Sequence, residues 1–402
     1  MRILFLTVGR IDDVSSRGIY TDLMRKFRDE GHEVYIVSPS ERQFGQPTRL
    51  VEKDGISLLK ILTLNIQKTN VIEKGLATLL IESQYLHGIR RFFPDVRFDL
   101  VLYSTPPITF TKVVESIKRR HGARSYLLLK DIFPQNAVDL GMMRHGGLFH
   151  TYFRAKEKMM YAVSDAIGCM SPANVKYVCE HNPEIDPSIV HVNPNSVEPV
   201  ETGISKKDRR AVRDRHGIPE DATVFVYGGN LGRPQGINFI LRVLESNIGL
   251  RNAFFLVVGS GTEFSKVKTW FDIRRPKNAL LMASLPKNEY DLLVRACDVG
   301  MIFLDRRFTI PNFPSRLISY LECKMPVIAA TDPNTDMGSI MEEHGFGLWS
   351  ESGDLDAINR QIVKLAEDPM LRRTMGDKGY RYLTDNYTVD VSCDAVMKSY
   401  YG

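Results

Sequence analysis

The chain has 402 residues, a formal net charge of +5, 43% hydrophobic residues and 25% charged residues. At roughly 150 residues per domain this length predicts two or three domains, each large enough to bury its own core. The composition excludes a disordered, collagenous or coiled-coil chain. The apolar runs are a few residues long, far short of the ~18–20 needed to cross a bilayer. The N-terminal apolar run is too short and too soon charged for a signal peptide, so the sequence reads as cytoplasmic. Cys169, Cys179, Cys297, Cys323 and Cys393 are scattered without a CxxC pair, and no HExxH spacing occurs. They read as reduced thiols, with no metal site expected. Basic clusters at residues 90–91, 118–120, 206–215 and 274–275 suit an anionic substrate or an anionic membrane surface. The charge is too mild to argue for nucleic acid.

In chain order, short β-branched runs alternate with amphipathic stretches of helical length. Residues 2–8, 33–37, 99–103, 124–129, 165–170 and 190–192 read as strands. Between the first two, Ile19, Leu23 and Phe27 recur at a spacing of four and predict a helix that stops at Gly31. The pattern restarts with strand runs at 223–227, 253–258, 279–282, 299–303 and 327–330, with helical patterns such as 238–244 and 288–295 between them. Such alternation predicts parallel sheets covered on both faces. A polar, proline-containing segment, 194–207, separates the two series, and residues 358–401 read as helical. The expected fold class is α/β, with two Rossmann-like domains.

Parallel sheets bind ligands at the carboxyl ends of their strands. Five segments there are candidates. The loop 9–18 offers only Gly9 and Gly18, not a dinucleotide fingerprint, and the second strand lacks the acidic residue that would hold a ribose; NAD chemistry is disfavoured. Gly228-Gly229-Asn230-Leu231-Gly232-Arg233-Pro234-Gln235-Gly236 follows a strand and precedes a helix, where glycines admit an anion, the helix adds its dipole and Arg233 adds a charge; a plain glycine turn is the alternative. Gly259-Ser260-Gly261 reads as a tight turn first and a ligand loop second. Asp131 follows the apolar run 126–129, where a carboxylate serves either as a general base or as a turn and cap residue. In the segment 310–322, Asn312 and Pro314 suit a helix start, and Arg316 and Glu322 are either functional or plain surface groups.

These pieces, in order over some 330 residues, resemble the family-4 retaining glycosyltransferases of the GT-B fold, and within them the fucosamine-transferase-like branch of capsule and O-antigen synthesis. Arg17-Gly18, Ser104-Thr105-Pro106-Pro107, Lys130–Gln135, Pro194-Asn195-Ser196-Val197, the glycine loop, Pro314-Ser315-Arg316-Leu317 and Pro326-Val327-Ile328-Ala329 carry the likeness. There are departures. The family's loop arginine and lysine fall on Asn230 and Gln235. Its two signature glutamates fall on Pro311 and Ser319. Gln135 replaces the usual acid after Pro134.

The resemblance implies a sugar transfer with retention, from a nucleotide-sugar, expected to be a UDP-sugar, to a saccharide or polyprenyl-linked saccharide acceptor, without cofactor or metal. It implies two Rossmann-like domains facing a cleft: an acceptor domain over 1–198, a nucleotide-sugar domain over 199–385, and a C-terminal helix, 386–402, packing back on the first. Expected roles follow. Asp131 and Arg316 are catalytic. Gly18, Gly229, Asn230, Gly232, Arg233, Gln235, Gly236, Ser315, Ser319 and Glu322 bind the donor, Glu322 standing in for the lost ribose glutamate. Lys130, Phe133 and Asn136 bind the acceptor. The segment 69–94, with Leu79, Leu80, Ile81, Tyr85, Leu86, Ile89, Phe92 and Phe93 around Arg90 and Arg91, suits a helix lying in a membrane interface, giving a cytoplasmic protein peripheral at the inner face of the cell membrane; a core-packed helix is the alternative. Two other functions stay open: a nucleotide-sugar 2-epimerase on the same fold, and a non-catalytic binding protein derived from a transferase.

Overall fold

The β-branched and apolar runs are buried on both faces, which is what a strand in the middle of a parallel sheet requires. The computed structural model describes residues 1–66, 71–200 and 202–402, except for the side chains of 71, 72, 74–76 and 78. Two compact units emerge: Met1–Glu198 with Thr388–Gly402, and Pro199–Tyr387.

The first unit runs β1 (Arg2–Leu6), α1 (Ile19–Asp29), β2 (Glu33–Glu41), β3 (Arg49–Lys53), β4 (Ile56–Thr63), α2 (Val71–Phe92), β5 (Leu100–Ser104), α3 (Thr111–His121), β6 (Arg124–Leu129), α4 (Gln135–Asp139), α5 (Leu148–Val163), β7 (Ala166–Cys169), α6 (Pro172–His181) and β8 (Val190–Val192). Its sheet has the order β3-β4-β2-β1-β5-β6-β7-β8. All neighbours pair in parallel except β3 and β4, which form an antiparallel hairpin. The hairpin turns at Asp54-Gly55, both at positive φ (51° and 75°), the backbone that a tight hairpin turn needs.

The second unit runs α7 (Lys206–Arg215), β9 (Thr223–Asn230), α8 (Ile237–Ser246), β10 (Ala253–Ser260), α9 (Phe264–Arg274), β11 (Ala279–Met282), α10 (Lys287–Arg295), β12 (Val299–Phe303), α11 (Arg316–Glu322), β13 (Val327–Thr331), α12 (Met337–Glu343), β14 (Gly347–Glu351), α13 (Leu355–Glu367) and α14 (Pro369–Asn386). Six parallel strands lie in the order β11-β10-β9-β12-β13-β14. One core, built on Phe225, Phe255, Ile240, Val267 and Ile362, packs α8 and α13 onto this sheet.

The last helix, α15 (Val389–Tyr401), belongs to the first unit. Its Val389, Cys393 and Val396 enter the core beside Phe27 and Leu128. Its polar side is tied down as well. Ser392 Oγ donates to Asn193 Oδ1 (2.6 Å), Asn193 Nδ2 donates to Tyr126 Oη (2.8 Å), and Lys26 pairs with Asp390 (2.6 Å).

One expectation is corrected here. Ile81, Tyr85, Ile89 and Phe93 are at most 5% exposed. The Tyr85 hydroxyl donates to the Thr7 carbonyl (2.7 Å), and Phe93 meets Tyr35 and Phe98 edge-on. A Cβ on Gly88 would lie 2.7 Å from Ile61. This face of α2 is core, so Phe93 cannot reach a lipid surface, although Leu79, Leu80, Arg90 and Arg91 are exposed. Residues 69 and 70 of that expected segment, and Glu201 of the expected linker, lie outside the described residues. Among the described residues no helix is long and apolar enough to cross a membrane.

The packing of α15 makes a test. Val396→Asp puts a charge into a fully buried apolar position, and is expected to cost at least ~3 kcal/mol and to lower the thermal unfolding transition. Asp394→Ala, on the exposed side of the same helix, should change stability by no more than about 0.5 kcal/mol.

Candidate active site

In the second unit, β9 runs out into the glycine loop, and close approach dictates its residues. A Cβ on Gly228 would lie 1.8 Å from the Tyr290 hydroxyl, and one on Gly259 would lie 1.9 Å from the Gly229 carbonyl oxygen. Gly261 abuts the Leu231 carbonyl in the same way, at 2.4 Å. The 259–261 GxG therefore serves to let β10 pack against the loop. Gly236, at φ 60°, turns a short 3₁₀ segment, Arg233–Gln235, straight into α8. That helix has no side-chain cap, and an uncapped helix start favours an anion.

Asn230 and Gln235, where the resemblance places two cations, close the loop on itself. Asn230 Nδ2 donates to Gln235 Oε1 (3.0 Å), and the Gly232 amide donates to the same oxygen (3.2 Å). Both side chains shape the loop and bring no charge.

Arg316 opens α11, directly after Pro314 and the exposed Ser315. Its guanidinium carbon lies 4.6 Å from the centroid of the Tyr227 ring, a cation–π contact. One of its nitrogens, Nη2, would be 3.3 Å from a Cβ on Gly229, so the guanidinium lies against the bare loop backbone. The other, Nη1, is buried with no hydrogen-bond partner among the described residues. Among the described residues no carboxylate pairs with it. Burial holds the Tyr227 and Tyr320 phenols above their ordinary range, so they stay neutral and supply no counter-charge. A half-buried cation with one nitrogen fully buried and no paired anion carries a cost, and a bound anion would remove it.

Arg233, expected to share this role, is placed differently. It is exposed, its Nε lies 3.9 Å from Glu263, and it borders a cavity of about 410 Å³ lined also by Arg242, Lys266, Arg306 and Arg307. Arg316 does not line that cavity. Glu322 also departs from expectation. It is 7% exposed, its carboxylate accepts from the Val200 amide (3.2 Å), and its carbonyl accepts from Thr202 Oγ1 (2.5 Å). It anchors the chain entering this unit instead of offering a free carboxylate to a ribose. Ser319, where the resemblance places a ribose-binding glutamate, is exposed.

In the first unit, Asp131 follows β6. Thr105 Oγ1 accepts from the amides of both Lys130 (2.8 Å) and Asp131 (3.0 Å), which fixes the turn. Asn136 Nδ2 donates to both Asp131 oxygens, at 2.8 and 3.0 Å. Burial pushes the Asp131 carboxyl up to about 6, against the opposing pull of Asn136 and a backbone amide. Lys130 donates from Nζ to the Asn193 and Pro194 carbonyls, each at 3.1 Å, and burial pulls its ammonium down to about 7. Phe133 packs edge-on against Phe153 at 5.1 Å. Thus Lys130 and Asn136 are engaged with protein groups and brace the Asp131 turn. Gly18 caps α1 through its amide, which donates to Asp22 Oδ1 (2.8 Å).

Sequence reasoning missed Asp332. It follows β13, is fully buried, and its Oδ1 accepts from the amides of Asn334 (3.0 Å) and Thr335 (3.2 Å), while Oδ2 has no partner among the described residues. Burial pushes it, too, up to about 6. The signal that marked Asp131, an acid ending a buried strand, was present here in Ala330-Thr331-Asp332.

Residues 208–382 match the family described as Glycosyl transferases group 1. The second unit carries a group 1 glycosyltransferase domain. The chain is 22% identical over 329 residues to WbjE of Pseudomonas aeruginosa, named as a glycosyltransferase, spanning 81% of this chain and 80% of that one. It is 21% identical over 378 residues to WcaI of Escherichia coli K12, named as a colanic acid biosynthesis glycosyl transferase, spanning 89% and 90%. In fold it is similar to the sucrose-phosphate synthase of Thermosynechococcus elongatus, with a TM-score of 0.78 at 14% identity over 100% of this chain and 98% of that one. It is similar also to HepE of Anabaena solved with UDP-glucose, with a TM-score of 0.72 at 15% identity over 99% of each. The fold is thus GT-B, two Rossmann-like units, and the chain is a glycosyltransferase.

The Asp131 carboxyl gives a pH prediction. With an ordinary value near 3.9 when unfolded and about 6 when folded, the native state binds more protons between those values. Stability therefore falls as pH rises from ~4 to ~6, and Asp131→Asn should be at least as stable as wild type at pH 7.5. If the carboxylate is the working base, turnover should fall as pH drops through about 6, and Asp131→Asn should lose at least ~100-fold in turnover. Unfolding curves and a pH–rate profile check both.

Proposed function

We propose that the protein is a retaining glycosyltransferase that moves a sugar from a UDP-sugar to a lipid-carrier-linked saccharide in bacterial surface polysaccharide synthesis, the capsule and O-antigen among its settings. The observation that carries this reading is Arg316. A nucleoside diphosphate becomes more negative at its departing oxygen as the glycosidic bond breaks, and a fixed donor aimed there stabilises the transition state. Among the described residues Arg316 is a preformed cation without a counter-ion, beside a glycine loop whose backbone admits close contact. The name of WcaI supports a polysaccharide setting, and the UDP-glucose complex of HepE supports the donor class. In this reading the second unit binds the donor through Gly229, Gly232, Gly236 and Arg316, with Ser315 and Ser319 at its rim. The first unit presents the acceptor to Asp131, with Phe133 beside it.

A lipid-linked acceptor calls for peripheral membrane contact, and the exposed apolar groups favour α5 over α2. Leu148 is 91% exposed, Phe149 75% and Met142 62%. Arg144 and Lys156 flank them, Lys156 Nζ lying 5.9 Å from the centroid of the Tyr152 ring. Apolar and aromatic groups ringed by cations suit an anionic lipid surface.

Two measurements test the reading. With a panel of UDP-sugars and lipid-linked acceptors, Arg316→Ala is expected to lower turnover about 10²–10³-fold with folding intact, and Arg233→Ala less than tenfold. Wild-type turnover in Arg316→Ala would overturn it. UDP release that needs no acceptor would instead indicate the 2-epimerase. In flotation with anionic vesicles, Leu148→Ser/Phe149→Ser is expected to abolish binding and Arg90→Ala/Arg91→Ala to leave most of it; the reverse would restore α2 as the contact.

A further inference from the structure

The glycine loop and Arg316 lie at the carboxyl edge of the second unit's parallel sheet. A second cavity, of about 560 Å³, opens at the opposite edge, where β12 and β13 begin. Five cations line it: Arg209, Arg295, Lys324, Arg372 and Arg373. Among the described residues the lining holds one carboxylate, Asp298, and that group is already shared. Arg209 donates to Asp298 Oδ1, while Arg213 Nη2 (2.6 Å) and the Val224 amide (2.8 Å) donate to Oδ2. Among the described residues Arg295, Lys324, Arg372 and Arg373 have no ion-pair partner. Arg372 donates to the Leu365 and Ala366 carbonyls.

Helix dipoles explain part of this basicity. Arg295 and Lys324 follow or end α10 and α11, where a cation meets the negative end of a helix. They do not explain Arg372 and Arg373, which lie early in α14, near its positive end, where a cation is disfavoured. Lys324 is unusual too. It follows the cap of α11 at φ 52°, a left-handed position where glycine is the unstrained choice. The backbone is held there from outside, since a Cβ on Gly376 of α14 would lie 1.9 Å from the Lys324 carbonyl oxygen. A lysine kept where glycine fits better brings its ammonium to the cavity, 4.8 Å from the centroid of the Tyr380 ring.

We propose that this cavity is a second anion site, distinct from the donor site and taking a phosphomonoester or diphosphate group. Its volume suits a small phosphorylated molecule, and its uncompensated cations supply the charge-assisted bonds such a group needs. The proposal stands independently of the donor and acceptor assignments.

Inorganic pyrophosphate is the probe, titrated calorimetrically at low salt into wild type, Lys324→Gly and Arg295→Ala/Arg373→Ala. Arg316 and Arg233 are present in all three, so pyrophosphate bound near them does not alter the comparison. The expected result is one fewer pyrophosphate per chain, or at least tenfold weaker binding at one site, in both variants, while Lys324→Gly unfolds at the same or a higher temperature than wild type. Flotation with phosphatidic-acid vesicles distinguishes the sources: loss in the same variants assigns the phosphate to a lipid headgroup, and flotation indifferent to them assigns it to a free small molecule. Wild-type pyrophosphate binding in both variants, or a Lys324→Gly protein that is less stable with unchanged binding, would overturn the proposal and leave Lys324 a structural residue.

Discussion

The second unit is organised around one unsatisfied charge. Arg316 is held against the Tyr227 ring and the backbone of Gly229, with one nitrogen buried and unpaired. The sheet pays for that arrangement in constraints: Gly228, Gly259 and Gly261 have no room for a side chain. Asn230 and Gln235 close the loop by bonding to each other. A neutral group of the same shape would fold with less cost. The cation makes physical sense when an anion completes it, and in the function proposed above that anion is the donor's diphosphate.

The first unit works by a related principle with the opposite charge. Asp131 ends a buried strand, and the protein pushes its carboxyl towards neutral pH by burial while Asn136 fixes its orientation. A carboxyl poised near 6 can exchange a proton at physiological pH, which one in water cannot do as effectively. Both units thus use the carboxyl ends of parallel strands to hold a titratable or charged group away from bulk water. Asp332, after β13, shows the same physics with no role assigned to it.

Much of this was legible in the sequence because a strand buried on both faces is spelled in consecutive apolar residues. Each of the runs read as a strand overlaps one, from Arg2–Leu6 to Val327–Thr331, with ends off by up to two residues in the first. The β3–β4 hairpin and β14 were not read. The hairpin's Asp54-Gly55 turn was a local signal passed over, and β14 is a short stretch, Gly347–Glu351, whose central residues are only partly buried. The likeness in motifs pointed to the glycine loop and to the Arg316 segment, but not to which arginine lies against the loop. That depends on α11 bringing Arg316 across to Tyr227 and Gly229, a tertiary event with no local signature. For the same reason α2 read as an interfacial helix: aromatic and basic residues in alternation describe a membrane face and a core face with solvated arginines equally well, until Tyr35, Ile61 and Phe98 are seen to cover one side. Glu322 looked like a substitute for a missing carboxylate because helix position alone cannot show that the Val200 amide already holds it.

The most direct measurement is a crystal structure of the protein with UDP. The account predicts the diphosphate over Gly229–Gly236 with the Arg316 guanidinium within hydrogen-bond distance, ~2.7–3.0 Å, of a phosphate oxygen. A diphosphate seated instead in the cavity beside Arg233, Arg306 and Arg307, with Arg316 Nη1 still unpaired, would contradict it.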